Sequence, residues 1–121
     1  MDDAHLPLEP GLHRERRELM GTVATITIRD ADATRARGAI EAALSRLHEI
    51  DARFSPYKET SEISRIGRGA LTVADAHPEV AQVLAACEAL RVESGGRFSA
   101  WGFRADGRLD PSGYVKGWAI E

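Results

Sequence analysis

The stretch Met20-Gly21-Thr22-Val23-Ala24-Thr25-Ile26-Thr27-Ile28-Arg29-Asp30 decides how this chain is read. Ala24, Ile26 and Ile28 recur at every second residue, with Thr25 and Thr27 between them. Strand side chains alternate between faces, so Met20 to Ile28 predicts a half-buried strand. The period then changes. Ala36, Ile40, Ala43, Leu44, Leu47 and Ile50 recur at helical spacing, which predicts an amphipathic helix over residues 31–52. Asp30 or Asp32 can cap its first turn, and Pro56 forbids its continuation.

Working outward, residues 1–13 hold two prolines and no periodic pattern, and they are expected to form a loose arm. Arg14, Arg16 and Arg17 follow as a solvated lead-in to the strand. Residues 54–69 predict a polar loop with one short helical turn, capped by Thr60 or Ser61. Ala70 to Ala74 reads as a short β segment. His77-Pro78 opens a second helix, with Val80, Val83, Leu84, Cys87 and Leu90 as its buried stripe and Gly95-Gly96 as its end. Residues 97–111 predict loop with a short strand. A further helix starts at Gly113, with Ser112 as its cap, and Glu121 falls inside it. Strand, helix, loop and helix in that order predict an α+β fold in mixed layers, incomplete at residue 121.

Composition removes several classes of function. The chain has 121 residues, 43% of them apolar, and 16 basic against 19 acidic side chains give a net charge of −3. That is one domain or part of one, with enough apolar content for a core. The mild acidity argues against a nucleic-acid partner, whose phosphates demand a basic surface. A single cysteine, Cys87, excludes an internal disulfide and any cysteine-cluster metal site. No apolar run is long enough to span a bilayer. The polar, acidic start Met1-Asp2-Asp3-Ala4-His5 lacks the pattern of a secretory signal, so the expected location is cytoplasmic.

Single residues say little about chemistry. His5, His13, His48 and His77 share no metal-ligand spacing and read as structural or exposed. Cys87 reads as a small buried hydrophobe. The Gly-Tyr-Val-Lys-Gly run at 113–117 is not a phosphate-binding loop of the Walker type, which needs four residues between its glycines and Ser or Thr after the lysine.

Three segments say more together. They are Met20-Gly21-Thr22; Phe54-Ser55-Pro56-Tyr57 followed by Ser61-Glu62-Ile63-Ser64-Arg65; and Ser94-Gly95-Gly96-Arg97-Phe98 with, later, Leu109-Asp110-Pro111-Ser112-Gly113-Tyr114-Val115-Lys116-Gly117-Trp118-Ala119. In this order, residues 19–121 resemble the ApbE family, the FAD:protein FMN transferases. That family reads approximately M-G-T near a first strand, then S-x-Y, S-E-I-S-R-L-N, S-G-G-x-F-D and D-x-G-x-x-K-G-x-A.

The resemblance implies FAD as substrate, Mg²⁺ as cofactor and a target flavoprotein as partner. FMN would move onto a Thr or Ser hydroxyl of that partner, with release of AMP. It implies that residues 14–121 are the N-terminal portion of a flavin transferase domain. Met20 and Tyr57 are the implied flavin-pocket residues. Arg97, Phe98 and Ser99 match the G-x-F-D segment that lines the FAD site, with Ser99 in place of the usual acid. Asp110 and Lys116 match an acid and a lysine that contact FAD. Gly113 stands where the family supplies a metal ligand, and it can offer only its backbone carbonyl.

Gly67 stands where the family commonly has Asn near the flavin. The family's H-x-x-D-P and D-x-x-x-T segments, which supply further metal ligands, do not occur in these residues. Two alternatives therefore stay open beside transfer: an inactive flavin-binding module, and hydrolysis of FAD to FMN and AMP.

Overall fold

The computed structural model of the chain describes residues 9–101 and 108–121. It divides into two units, residues 1–49 and residues 50–121. The described elements are mixed α and β: a two-stranded antiparallel sheet, four helices and one 3-10 turn.

The first unit is built on a hairpin. Strand β1 (Leu12–Leu19) pairs with β2 (Thr22–Arg29), from Leu12 opposite Arg29 to Leu19 opposite Thr22. β2 alternates as its sequence demands, with Ala24, Ile26 and Ile28 half-buried and their neighbours exposed. β1 was not expected as a strand, because its Arg-Glu-Arg-Arg-Glu run carries no apolar alternation. It forms because a two-residue turn folds it onto β2. Met20 and Gly21 occupy that turn with φ values of 55° and 70°. Positive φ at both central residues defines the turn whose twist suits an antiparallel hairpin. Met20 therefore lies in the turn and not at a strand start.

Helix α1 (Ala33–Phe54) begins in this unit. Asp32 caps it, with Oδ1 accepting from the Thr34 and Arg35 amides at 3.0 and 3.1 Å. Asp30 accepts from the Asp32 amide at 2.9 Å and from the Arg35 guanidinium at 2.6 and 2.7 Å. Both aspartates proposed for the cap thus serve the helix start. Leu19, Ala36, Ile40 and Leu44 are buried. Each large apolar side chain removed from water in this way contributes about 1.5–3 kcal/mol. Ala43 and Leu47 are only half-buried.

The second unit starts with the end of α1. Its last residue, Phe54, is 2% exposed and meets Trp118 edge-on, with ring centroids 5.5 Å apart. Helix α2 (Glu62–Gly67) is capped by Ser61, whose hydroxyl accepts from the Ser64 amide. The stretch expected as β at 70–74 instead leads into a 3-10 turn, Val73–Asp75, because the Thr72 hydroxyl accepts from the Asp75 amide at 3.2 Å. Helix α3 (Pro78–Glu93) buries Val80, Val83 and Cys87, with Leu84 and Leu90 half-buried. Its end turns through Gly95 and Gly96, at φ 66° and 86°, which a side chain would disfavour.

Helix α4 (Ser112–Ala119) packs through Val115. Ser112 is its first residue and not its cap. The Asp110 carboxylate accepts the Ser112 amide at 3.0 Å instead. Glu121 lies beyond the last helical residue, Ala119. No strand forms among the described residues of 97–111, and 102–107 lie outside the description. No described helix is long and apolar enough to cross a membrane.

Candidate functional site

The Phe54-Ser55-Pro56-Tyr57 loop is tied down by the Ser61-Glu62-Ile63-Ser64 segment. The Ser61 hydroxyl, fully buried, donates to the Ser55 carbonyl at 2.7 Å. Lys58 pairs with the buried Asp51 carboxylate at 2.8 Å, closing the loop on the end of α1. Tyr57 sits between these two anchors and is 68% exposed. Its backbone amide donates to the Ser55 hydroxyl at 3.3 Å. The result is an aromatic ring presented to solvent from a fixed backbone.

Glu62 of the same segment has a structural job. Its Oε1 accepts the His77 amide at 2.9 Å, and Arg53 stands 3.9 Å from its Oε2. Arg53 also reaches Glu79 at 3.5 Å. His77 completes the joint, with Nδ1 accepting from the Glu79 amide at the start of α3.

Beyond α3, the segment 97–101 is folded against 109–113. The Ser94 hydroxyl accepts the Phe98 amide at 2.9 Å, and the Ala100 carbonyl accepts the Asp110 amide at 2.7 Å. Phe98 lies over Gly113, where a Cβ would stand 3.4 Å from its Cε2. The structure thus brings Phe98, Asp110 and Gly113 together. The Ser99 hydroxyl accepts the Trp101 amide at 3.1 Å, so it serves its own turn. Arg97 and Lys116 are exposed. Met20 belongs to the first unit and the other seven expected site residues to the second.

A cavity of about 400 Å³ opens in the second unit. Its apolar floor comes from Pro56, Ile63 and Leu109, all buried. Ser64, Arg68 and Arg108 line its polar side. Arg68 donates to the carbonyl of Glu59, a further lining residue, at 2.7 Å. Gly67 also lines the cavity, and a Cβ there would meet the Leu109 Cβ at 3.4 Å. The sequence reading did not single out Arg68, Arg108 or Leu109 as lining residues. Arg68 follows the recognised motif without being part of it, and isolated arginines carry no pattern.

Metal binding is a different matter. Among the described residues, no three or more His, Cys, Asp or Glu side chains come together as a metal site. Mg²⁺ wants about six oxygen ligands, and the Gly113 carbonyl would be one. The described residues therefore do not make a Mg²⁺ site.

The fold is mixed α/β, and its second unit holds a cavity with an apolar floor and Arg68, Arg108 and Glu59 among its polar lining residues. The chain matches the ApbE family over residues 20–101, and it belongs to that family. Members are flavin transferases that take FAD as substrate, act on flavoprotein acceptors and generally use a divalent metal. No curated protein and no solved structure matches the chain.

Proposed function

We propose that this chain supplies flavin- and pyrophosphate-binding residues of a FAD:protein FMN transferase. The observation that carries the reading is membership of the ApbE family over a segment that holds the Met20, Tyr57 and Ser61–Arg65 motifs. The cavity floored by Pro56, Ile63 and Leu109 supports it, since a planar ring lies well on an apolar floor. Guanidinium groups such as those of Arg68 and Arg108 match phosphate oxygens in charge and geometry.

In this reading Tyr57 faces the flavin, and Arg97, Phe98, Ser99 and Asp110 line the nucleotide. Lys116 stands near the pyrophosphate, where an ammonium lowers the cost of its charge. Gly113 offers one backbone oxygen toward a metal whose other ligands lie outside the described residues. The reaction moves one group. A Thr or Ser hydroxyl oxygen of the acceptor attacks the FMN phosphorus, and its proton passes to a base. The bond from that phosphorus to the bridging oxygen breaks, and AMP leaves with that oxygen.

Titrating the chain into FAD and following flavin fluorescence tests binding. Saturable quenching is expected, and Tyr57→Ala should weaken it about 3- to 10-fold, the range set by one aromatic contact. Adding Mg²⁺ and an acceptor peptide then tests chemistry by its products. AMP with flavin-labelled peptide supports transfer. AMP and free FMN without peptide would instead support hydrolysis, with Gly67 as the residue to revert to Asn. Fluorescence unchanged at saturating protein would end the proposal.

A further inference from the structure

Tyr57 is carried by a four-residue turn, Ser55-Pro56-Tyr57-Lys58, that follows α1 directly. Proline at its second position fixes φ there. Tyr57 takes the third position without positive φ, since among the described residues Met20 is the one non-glycine that has it. That excludes the type II turn and fits type I. The backbone closes this turn loosely. The Lys58 amide stands 3.4 Å from the Ser55 carbonyl, beyond the usual limit of about 3.2 Å.

Both ends of the turn are fastened to one residue. Asp51, in the last turn of α1, accepts the Ser55 amide on its carbonyl at 2.9 Å. Its carboxylate takes the Lys58 ammonium at 2.8 Å. The Asp51 side chain is 7% exposed and that of Lys58 49%. An ion pair wholly in water holds little, whereas a buried carboxylate deprived of its cation is costly. The charge beneath the loop therefore draws Lys58 onto α1 and closes the turn that its own amide leaves loose. Tyr57, next to Lys58, has most of its ring in solvent. The backbone beneath sets where that ring stands, because a tyrosine adds only two side-chain torsions of its own.

We infer that Asp51 and Lys58 are positioning residues for the flavin site, whose ion pair holds the Tyr57 ring in place before FAD arrives. Order built in beforehand raises affinity without a new contact, because the ligand no longer has to immobilise the group it meets. Neither Asp51 nor Lys58 lines the cavity floored by Pro56, Ile63 and Leu109, so both act through Tyr57. This role rests on Tyr57 facing the flavin, as proposed above.

Fluorescence titration of FAD with the intact chain tests it, together with hydrogen exchange of the chain without FAD. Lys58→Met should weaken FAD binding about 3- to 10-fold, the loss set for Tyr57→Ala. Lys58→Arg keeps the charge and should recover most of that loss. In a Tyr57→Ala background, Lys58→Met should weaken FAD no further, because the pair acts through the ring. Asp51→Asn with Lys58→Met strands no buried charge and should show the same loss as Lys58→Met alone. Without FAD, exchange at the Tyr57 and Lys58 amides should speed up in Lys58→Met, while that of α3 stays as it was. Unchanged FAD affinity in Lys58→Met beside a loss in Tyr57→Ala would overturn the inference and leave the flavin reading standing. So would a loss in Lys58→Met that persists in full without the Tyr57 ring. FAD bound by no variant, the parent chain included, would overturn the flavin reading and this role with it.

Discussion

Met20 and Gly21 share a two-residue hairpin turn in which both carry positive φ, at 55° and 70°. Glycine reaches that region without cost, while a Cβ there costs about 1–2 kcal/mol. Among the described residues Met20 is the one non-glycine in it. Asn tolerates the conformation far better, and Asn-Gly is the preferred pair for this turn. Met20→Asn should therefore raise stability by about 0.5–1 kcal/mol, as relief of turn strain usually does. If Met20 faces the flavin, the same change should weaken FAD binding. Thermal melts and fluorescence titration of one variant read both effects. Greater stability with unchanged FAD affinity would remove Met20 from the flavin contacts that the family resemblance implies.

Ser61 should be the most sensitive position in the motif that holds Tyr57. Its hydroxyl donates to the Ser55 carbonyl at 2.7 Å, accepts the Ser64 amide at 3.1 Å and is fully buried. Ser61→Ala removes the α2 cap and the shortest of the hydrogen bonds to the buried Ser55 carbonyl, leaving the longer ones from the Lys58 amide and the Ser64 hydroxyl. A cost of about 1–3 kcal/mol follows, read as a lower denaturant midpoint. Ser61→Thr keeps the oxygen and should recover part of the loss. The exposed neighbour Thr60→Ala should change stability by less than about 0.5 kcal/mol.

These anchors explain what the sequence could and could not disclose. β2 and α1 were legible because one apolar face each leaves a period, two in β2 and 3.6 in α1. β1 was not, because its order comes from the Met20-Gly21 turn and from pairing, and its own residues are mostly charged. The β segment expected at 70–74 failed to competition. The Thr72 hydroxyl offers the Asp75 amide a local bond, and the chain curls into a 3-10 turn. Ser112 was misplaced for a similar reason, since the Asp110 carboxylate is the nearer acceptor. The grouping of Phe98, Asp110 and Gly113 was implied only by the family motifs. Arg68 and Arg108 needed three dimensions, because they are far apart in sequence and meet across a cavity floored by Leu109 and Ile63.

The Asp30–Arg35 pair predicts acid sensitivity in the first unit. The Arg35 guanidinium and the Asp32 amide hold the Asp30 carboxyl down at about 2, from an ordinary 3.8. A lowered folded value means that the charged form is favoured by folding. Its contribution is complete above 3.8, and is lost as pH falls past that value through about 2. Asp30→Asn should flatten the fall in thermal midpoint across that window, with little change near neutrality beyond the loss of the pair itself. Circular dichroism melts at a series of pH values read the slope. An equally steep fall in the variant would assign the acid sensitivity to other carboxylates.

Cys87 predicts the opposite limb. It lies on the buried stripe of α3 at 3% exposure, and burial pushes its thiol up to about 11 from 9.0. A thiol kept neutral by the fold is a poor nucleophile, so a disulfide reagent near neutral pH should label it only as fast as the chain opens. Denaturant should speed that labelling sharply. The sign for stability follows from the raised value. As pH climbs past 9.0 the unfolded chain ionises first, so this group's contribution to stability falls until about 11. Cys87→Ala should cost about 1–2 kcal/mol for the lost sulfur contacts and remove that alkaline decline. Cys87→Ser should cost more, because it buries a hydroxyl on an apolar stripe between Val83 and Leu90. Rapid labelling of the native chain would show that α3 opens far more readily than its packing implies.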